Sequence, residues 1–165
     1  MKLQPEKFGL FSQRDPRWSR DTLGGTIYTI SRWGCTVSAI SMMIFALFGK
    51  IVWPHELAKS FKFLSNGKLI WSSVTYSFGG KTLKFTRRVR DQRPTHAMMT
   101  KYANEPHLGM LLEVNNGTHW VFLKKWSVFS LWWYLCGDSF KYPAKFVKYA
   151  KWNITGYATF EILTD

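Results

Sequence analysis

"SRWGCTVSAISMM", Ser31 to Met43, decides how this chain is read. A glycine and then a cysteine open an almost wholly apolar run, which continues to Phe48 and meets Gly49. The length of Cys35 to Phe48 suits a helix, and a glycine just past the end is a natural stop. Apolar side chains fall on every face of that helix, so it is expected at the centre of the domain. A cysteine with only a packing role would fit anywhere in the run. Cys35 stands at its first position, where the positive end of a helix dipole favours a thiolate.

Outward from this helix, Lys2 to Gly25 reads as an extended lead-in, with Asp15-Pro16 and Gly24-Gly25 as breakers. Thr26 to Ile30 alternates weakly and predicts a short strand. Pro54-His55-Glu56-Leu57 opens a second helix, expected to run to about Leu64 before Asn66-Gly67. Lys68 to Arg93 is mixed, with a basic strand at Leu83 to Val89, and Pro94 to Tyr102 suits a third short helix. The last third reads as sheet. Leu108 to Val114 and Thr118 to Lys124 flank the turn Asn115-Asn116-Gly117. Val128 to Cys136 and Ile154 to Ile162 supply further strands. Helices first and sheet later predict an α+β fold, a single domain over residues 1–165.

The chain has 165 residues, enough for one real core. Apolar residues make up 46% and aromatic residues 18%, which excludes a disordered chain. Nine tryptophans can line clefts as well as fill cores. The net charge of +13 favours polyanions: nucleic acid, anionic lipid or cell-wall polymer. The run from Val37 to Phe48 is too short for a transmembrane segment. Met1 to Leu10 carries Lys2, Glu6 and Lys7 and shows no secretory signal; the compartment stays open. Two cysteines make no disulfide framework; one bridge, Cys35–Cys136, is open to the chain, but two free thiols are the default expectation. No Cys-x-x-Cys or close histidine pair suggests a metal, and Gly79-Gly80-Lys81 lacks the rest of a phosphate loop, so no cofactor is expected.

A nucleophilic cysteine needs a histidine to hold its thiolate. His55 begins a helix and suits the surface, whereas His96 and His107 sit among loop-like residues. His119 follows Asn-Asn-Gly-Thr and opens the apolar strand Trp120 to Leu123, a place from which it can face a cleft. The histidine in turn needs an acceptor on its second nitrogen. Asp138 ends the next strand, and His119 and Asp138 are symmetric about Val128-Phe129. A hairpin turn there would set them side by side. Taken singly, each residue also fits an ordinary role: a core cysteine, an exposed histidine, an aspartate in a turn.

In combination, "FSQRDPRWSRDTLGG" and "TIYTISRWGCTVSAISMMI" resemble the papain-like cysteine peptidases of the bacteriocin-processing, double-glycine leader peptidase type. The likeness is closest to the stand-alone branch found in bacterial and phage genomes. "WPHELAKSF", "NNGTHWVFL", "CGDS" and "ITGYATFEI" resemble its later segments, so the likeness runs from about Phe11 to Ile162. It implies a papain-like fold, with a central N-terminal helix packed on a C-terminal antiparallel sheet. It also implies Cys35 as nucleophile, His119 as base and then acid, Asp138 as the residue orienting His119, and Gln13 as a side-chain donor to the oxyanion. Ser139 departs from the pattern, which usually has proline after the aspartate.

The resemblance implies an amide hydrolase acting on a peptide or on the peptides of the cell wall. Two alternatives remain open. Arg87, Arg88, Arg90 and Arg93 could bind nucleic acid through phosphates, although no aromatic residue is interleaved among them. A papain-like scaffold without catalysis could serve a structural role.

Overall fold

The computed structural model describes residues 5–124 and 133–164. The expected turn at Val128-Phe129 and the first half of the expected strand from Val128 lie outside them. The described residues open with a single 3₁₀ turn, Pro5–Phe8, and a looped lead-in. Among the described residues four α-helices follow: α1 Ile30–Trp33, α2 Cys35–Phe48, α3 Pro54–Ser60 and α4 His96–Asn104. Seven strands form one sheet: β1 Thr75–Phe78, β2 Lys81–Val89, β3 Leu108–Val114, β4 His119–Leu123, β5 Trp133–Asp138, β6 Lys145–Ala150 and β7 Ile154–Thr164. Their order is β1-β2-β7-β3-β4-β5-β6, and every pairing is antiparallel. The chain is therefore α+β.

Alternation along the central strands explains how the layers form. On β3, Leu111 points to one face while Met110 and Leu112 point to the other; on β4, Trp120 and Phe122 oppose Val121 and Leu123. The first face packs against α2 and α3, and the second packs against α4 through Met99 and Ala103. Both faces of the middle strands are covered, so β3 and β4 are buried along their whole length.

The central helix has the bounds its sequence predicts. It buries every residue from Val37 to Ile44 and ends at Gly49 in a left-handed conformation, φ 66°. Gly34 joins α1 to α2 for a steric reason. A Cβ there would stand 2.5 Å from the Ile30 carbonyl oxygen, so any other residue would push Cys35 out of place.

Several expectations are corrected. Thr26 to Ile30 is not a strand: only Thr22 and Thr29 form an isolated bridge, and Ile30 already begins α1. Helix α3 stops at Ser60 rather than Leu64, because Phe61 turns extended to bury its ring in the core and Phe63 bridges to Leu69. The sheet is not wholly C-terminal. The stretch after Lys68 supplies the β1–β2 hairpin, in which β2 contains the expected strand Leu83 to Val89, whereas β1 and β6 were not anticipated. Cys35 packs on the α2 side, whereas Cys136 is buried on the α4 side, and both are free thiols. The structure therefore holds no Cys35–Cys136 bridge, because the sheet stands between the two side chains.

Candidate active site

The site forms where the first residue of α2 meets the starting end of β4 and the finishing end of β5. Asn115, Asn116 and Gly117 all take positive φ, at 54°, 55° and 78°. Such a left-handed run suits asparagine and glycine. It reverses the chain so that Val114 pairs with His119 at the lip of the sheet.

Cys35 is half-buried. Its sulfur lies 3.9 Å from Thr36 Oγ1 and interacts with the His119 imidazole and the Trp120 backbone N–H. Burial alone would raise its pKa. The hydrogen bond and charge of His119, with smaller help from Trp120 and Thr36, outweigh burial and hold the thiol below its ordinary value of 9.0. His119 is the other half of that pair. Burial would lower its pKa, but Asp138 and Cys35 together lift it from 6.5 to about 9. The pairing thus favours a thiolate beside an imidazolium more than an isolated cysteine would.

The remaining nitrogen of His119 is fixed. Nε2 donates to Asp138 Oδ1 at 2.8 Å, which leaves Nδ1 for the cysteine side. The carboxylate is itself held from three directions. Asp138 Oδ1 also accepts from the Phe140 backbone N–H at 2.8 Å, and Oδ2 accepts from Tyr149 Oη at 2.5 Å. Burial raises the pKa of this carboxyl, yet hydrogen bonds from His119, Tyr149 and Phe140 bring it below the usual carboxylate value. The Phe140 ring meets the imidazole edge-on, with centroids 5.8 Å apart, and Arg14 lies 4.3 Å from its centroid.

The expected pairing of His119 with Asp138 is met by a different register. Phe122 pairs with Gly137 and Leu123 with Cys136, so continuation of that ladder sets His119 level with Phe140. His119 and Asp138 are then diagonal neighbours. Because the shift is two residues, both side chains stay on the same face and can still touch.

Gln13 is buried and clamped between the two halves of the site. Its backbone N–H donates to Ser139 O at 3.1 Å, its Oε1 accepts from Ser139 Oγ at 3.2 Å, and its Nε2 donates to Ser31 O at 2.9 Å. Neighbouring anchors set its height: Ser12 Oγ donates to Lys141 O, and Trp18 Nε1 donates to Ser12 O. Ser139, the departure from the resembled pattern, thus gives Gln13 an O–H partner that proline would lack. Among the described residues, the second hydrogen of Nε2 has no acceptor.

The other histidines lie elsewhere. His55 stacks on Trp18, His107 is exposed beside Glu105, and His96 opens α4 and contacts Tyr134. Sequence reasoning missed Tyr149, since β6 is basic and half-exposed and carries no strong strand pattern, and Phe140, which lies in a bend just after β5. The arginines of "TRRVRDQR" have different surroundings: Arg87 stacks on Tyr157, Arg88 and Arg90 line the cleft beside Cys35, and Arg93 donates to the Ile154 carbonyl. Among the described residues, no cluster of His, Cys, Asp and Glu is placed to hold a metal ion. No described helix is long and apolar enough to cross a membrane.

Cys35 opens onto a cavity of about 370 Å³, with Trp33, Trp71 and Trp120 among its walls. Such a cleft can receive an extended chain and present one carbonyl to the sulfur. In comparisons with known proteins, no family model, no curated protein and no solved structure matches this chain.

Proposed function

We propose that the protein is a thiol hydrolase of the papain-like kind, which cleaves amide bonds in peptides or in the peptide cross-links of bacterial cell walls. One observation carries the reading: a single imidazole joins the Cys35 thiol on one side to the Asp138 carboxylate on the other. The resemblance of the "WGC", "THW" and "CGD" stretches to bacterial and phage peptidases is consistent with it.

In this reading the Cys35 thiolate attacks the scissile carbonyl carbon, and the carbonyl oxygen becomes an oxyanion. The backbone N–H of Cys35 and the free hydrogen of Gln13 Nε2 receive that charge. The His119 imidazolium then gives its proton to the leaving nitrogen, the carbon–nitrogen bond breaks, and a thioester remains on Cys35. Water enters, His119 takes its proton, and the thioester is hydrolysed to a carboxylic acid and free thiol. Asp138 keeps Nδ1 aimed at sulfur throughout, and Tyr149 keeps Asp138 in place.

The arginines do not favour a nucleic-acid-binding reading: Arg87 stacks on Tyr157, Arg93 bonds the Ile154 carbonyl, and Arg88 and Arg90 line the cavity that holds Cys35. The test is mass spectrometry of products after incubation with purified muropeptides and with a mixed peptide library. Cleavage by the native protein, abolished in a folded Cys35→Ala variant, supports the reading. Undiminished cleavage by that variant excludes Cys35 as the nucleophile.

A further inference from the structure

We propose that the cleft beside Cys35 selects substrates bearing a carboxylate, and that Arg88 is the residue that selects them. This deepens the hydrolase reading and rests on it. Arg88 lines the same cavity as Cys35, on the wall contributed by the end of β2. Its guanidinium lies 5.3 Å from the Trp71 ring centroid and 5.1 Å from that of Trp120, and those two indoles are themselves 4.9 Å apart. One nitrogen, Nη2, donates to Glu113 Oε1 at 2.8 Å. The group is therefore fixed before any ligand arrives, which lowers the entropy cost of binding.

The grip of Glu113 on Arg88 is single-pronged. A guanidinium offers five N–H donors in a rigid fork suited to a carboxylate. Here Nη2 is engaged and Nε is enclosed out of a ligand's reach, while among the described residues Nη1 has no partner and is the donor left for a ligand. The arginine is also the more open member of the pair, with its side chain 21% exposed against 7% for Glu113. Of the two, the guanidinium is therefore the more accessible to an anion in the cavity. Lys68 and Arg90 add positive charge to the same walls, and Asp91 offsets one of them. An amine would have to pass these cations to reach Glu113. A carboxylate is drawn in, and its uncharged amide counterpart would lose the charge-assisted bond.

The probes are short blocked peptides made in matched glutamate and glutamine forms, each with a free or an amidated C-terminus. Cleavage by the native protein is followed by mass spectrometry, and binding to the Cys35→Ala variant by tryptophan fluorescence. The glutamate or free-acid form is expected to be favoured by about tenfold or more, as for a site built to bond a group its competitor lacks. The two C-terminal forms tell a side-chain carboxylate from a terminal one. Arg88→Gln should bring the ratio near one, and Arg88→Lys should leave an intermediate value, since it keeps the charge without the fork. Equal rates and affinities for both forms in the native protein would overturn the inference, as would an Arg88→Gln ratio equal to the native one. Should Arg88→Gln fail to fold, the native ratio and Arg88→Lys decide. Selective binding without Cys35-dependent cleavage would sink the hydrolase reading alone.

Discussion

The chain has two thiols, and the sheet between them gives each a different chemistry. Cys35 is half-exposed, at the first position of α2, with an imidazole beside it; its pKa falls despite burial. Cys136 is fully buried in the core cluster that also holds Tyr134, Tyr149 and Met99, and burial, aided by the Asp138 charge, pushes its pKa far up. Both stand within a few residues of a functional position in sequence. What separates them is a cation: the His119 charge faces Cys35, while the nearest charge to Cys136 is a carboxylate. A reactive cysteine is thus defined by its neighbours rather than by its depth.

That contrast can be broken most strongly at Cys35 itself. Cys35→Ala should abolish amide hydrolysis, a loss on the order of 10⁴-fold or more, while thermal unfolding stays close to native because the side chain is only half-buried. His119→Ala should remove the distinction between the two thiols from the other side. Turnover should drop by about 10³-fold or more, and the midpoint for Cys35 alkylation should climb toward the ordinary thiol value. The same pair leaves a mark on stability. A histidine raised from 6.5 to about 9 stabilises the fold fully below pH 6.5, and the contribution disappears as pH rises through about 9. Chemical denaturation of native and His119→Ala proteins at pH 6 and pH 10 should show a difference that shrinks at the higher pH.

Gln13→Ala should cost roughly 10²–10³ in turnover, the usual loss for one preorganised oxyanion donor. Cys35 alkylation should be little changed, because that step forms no oxyanion. The smallest expected effect is at Tyr149. Tyr149→Phe removes one of three donors to Asp138, so the carboxylate becomes more basic and less fixed. Turnover should fall by about tenfold, in the range of a single charge-assisted hydrogen bond. A pH–rate profile with unchanged limbs and unchanged turnover would show that Tyr149 only fills space.

Much of this site was legible in the sequence because it depends on local signals. Gly34-Cys35 followed by an apolar run marks the start of α2, and Asn115-Asn116-Gly117 marks the turn that brings His119 to the lip. The strands β3 and β7 are apolar enough to be read directly. Less could be read where side chains do not need to be apolar. Strand β1 is mostly exposed, and β6 is basic and half-exposed, so neither carries a hydrophobic period. The register of β4 on β5 was out of reach for another reason: a shift of two residues preserves the facing of every side chain. Both registers satisfy the same pattern, and packing of the glycine face of β5 on α2 decides between them. A Cβ at Gly137 would stand 2.6 Å from Met42 Sδ.

The most direct measurement is the pH dependence of iodoacetamide alkylation at each cysteine, read by peptide mass spectrometry on the folded protein. The account predicts that Cys35 reacts with its half-titration point below 9, while Cys136 stays unmodified until the protein is unfolded. A Cys35 that titrates as an ordinary thiol near 9, with the same profile in His119→Ala, would contradict it.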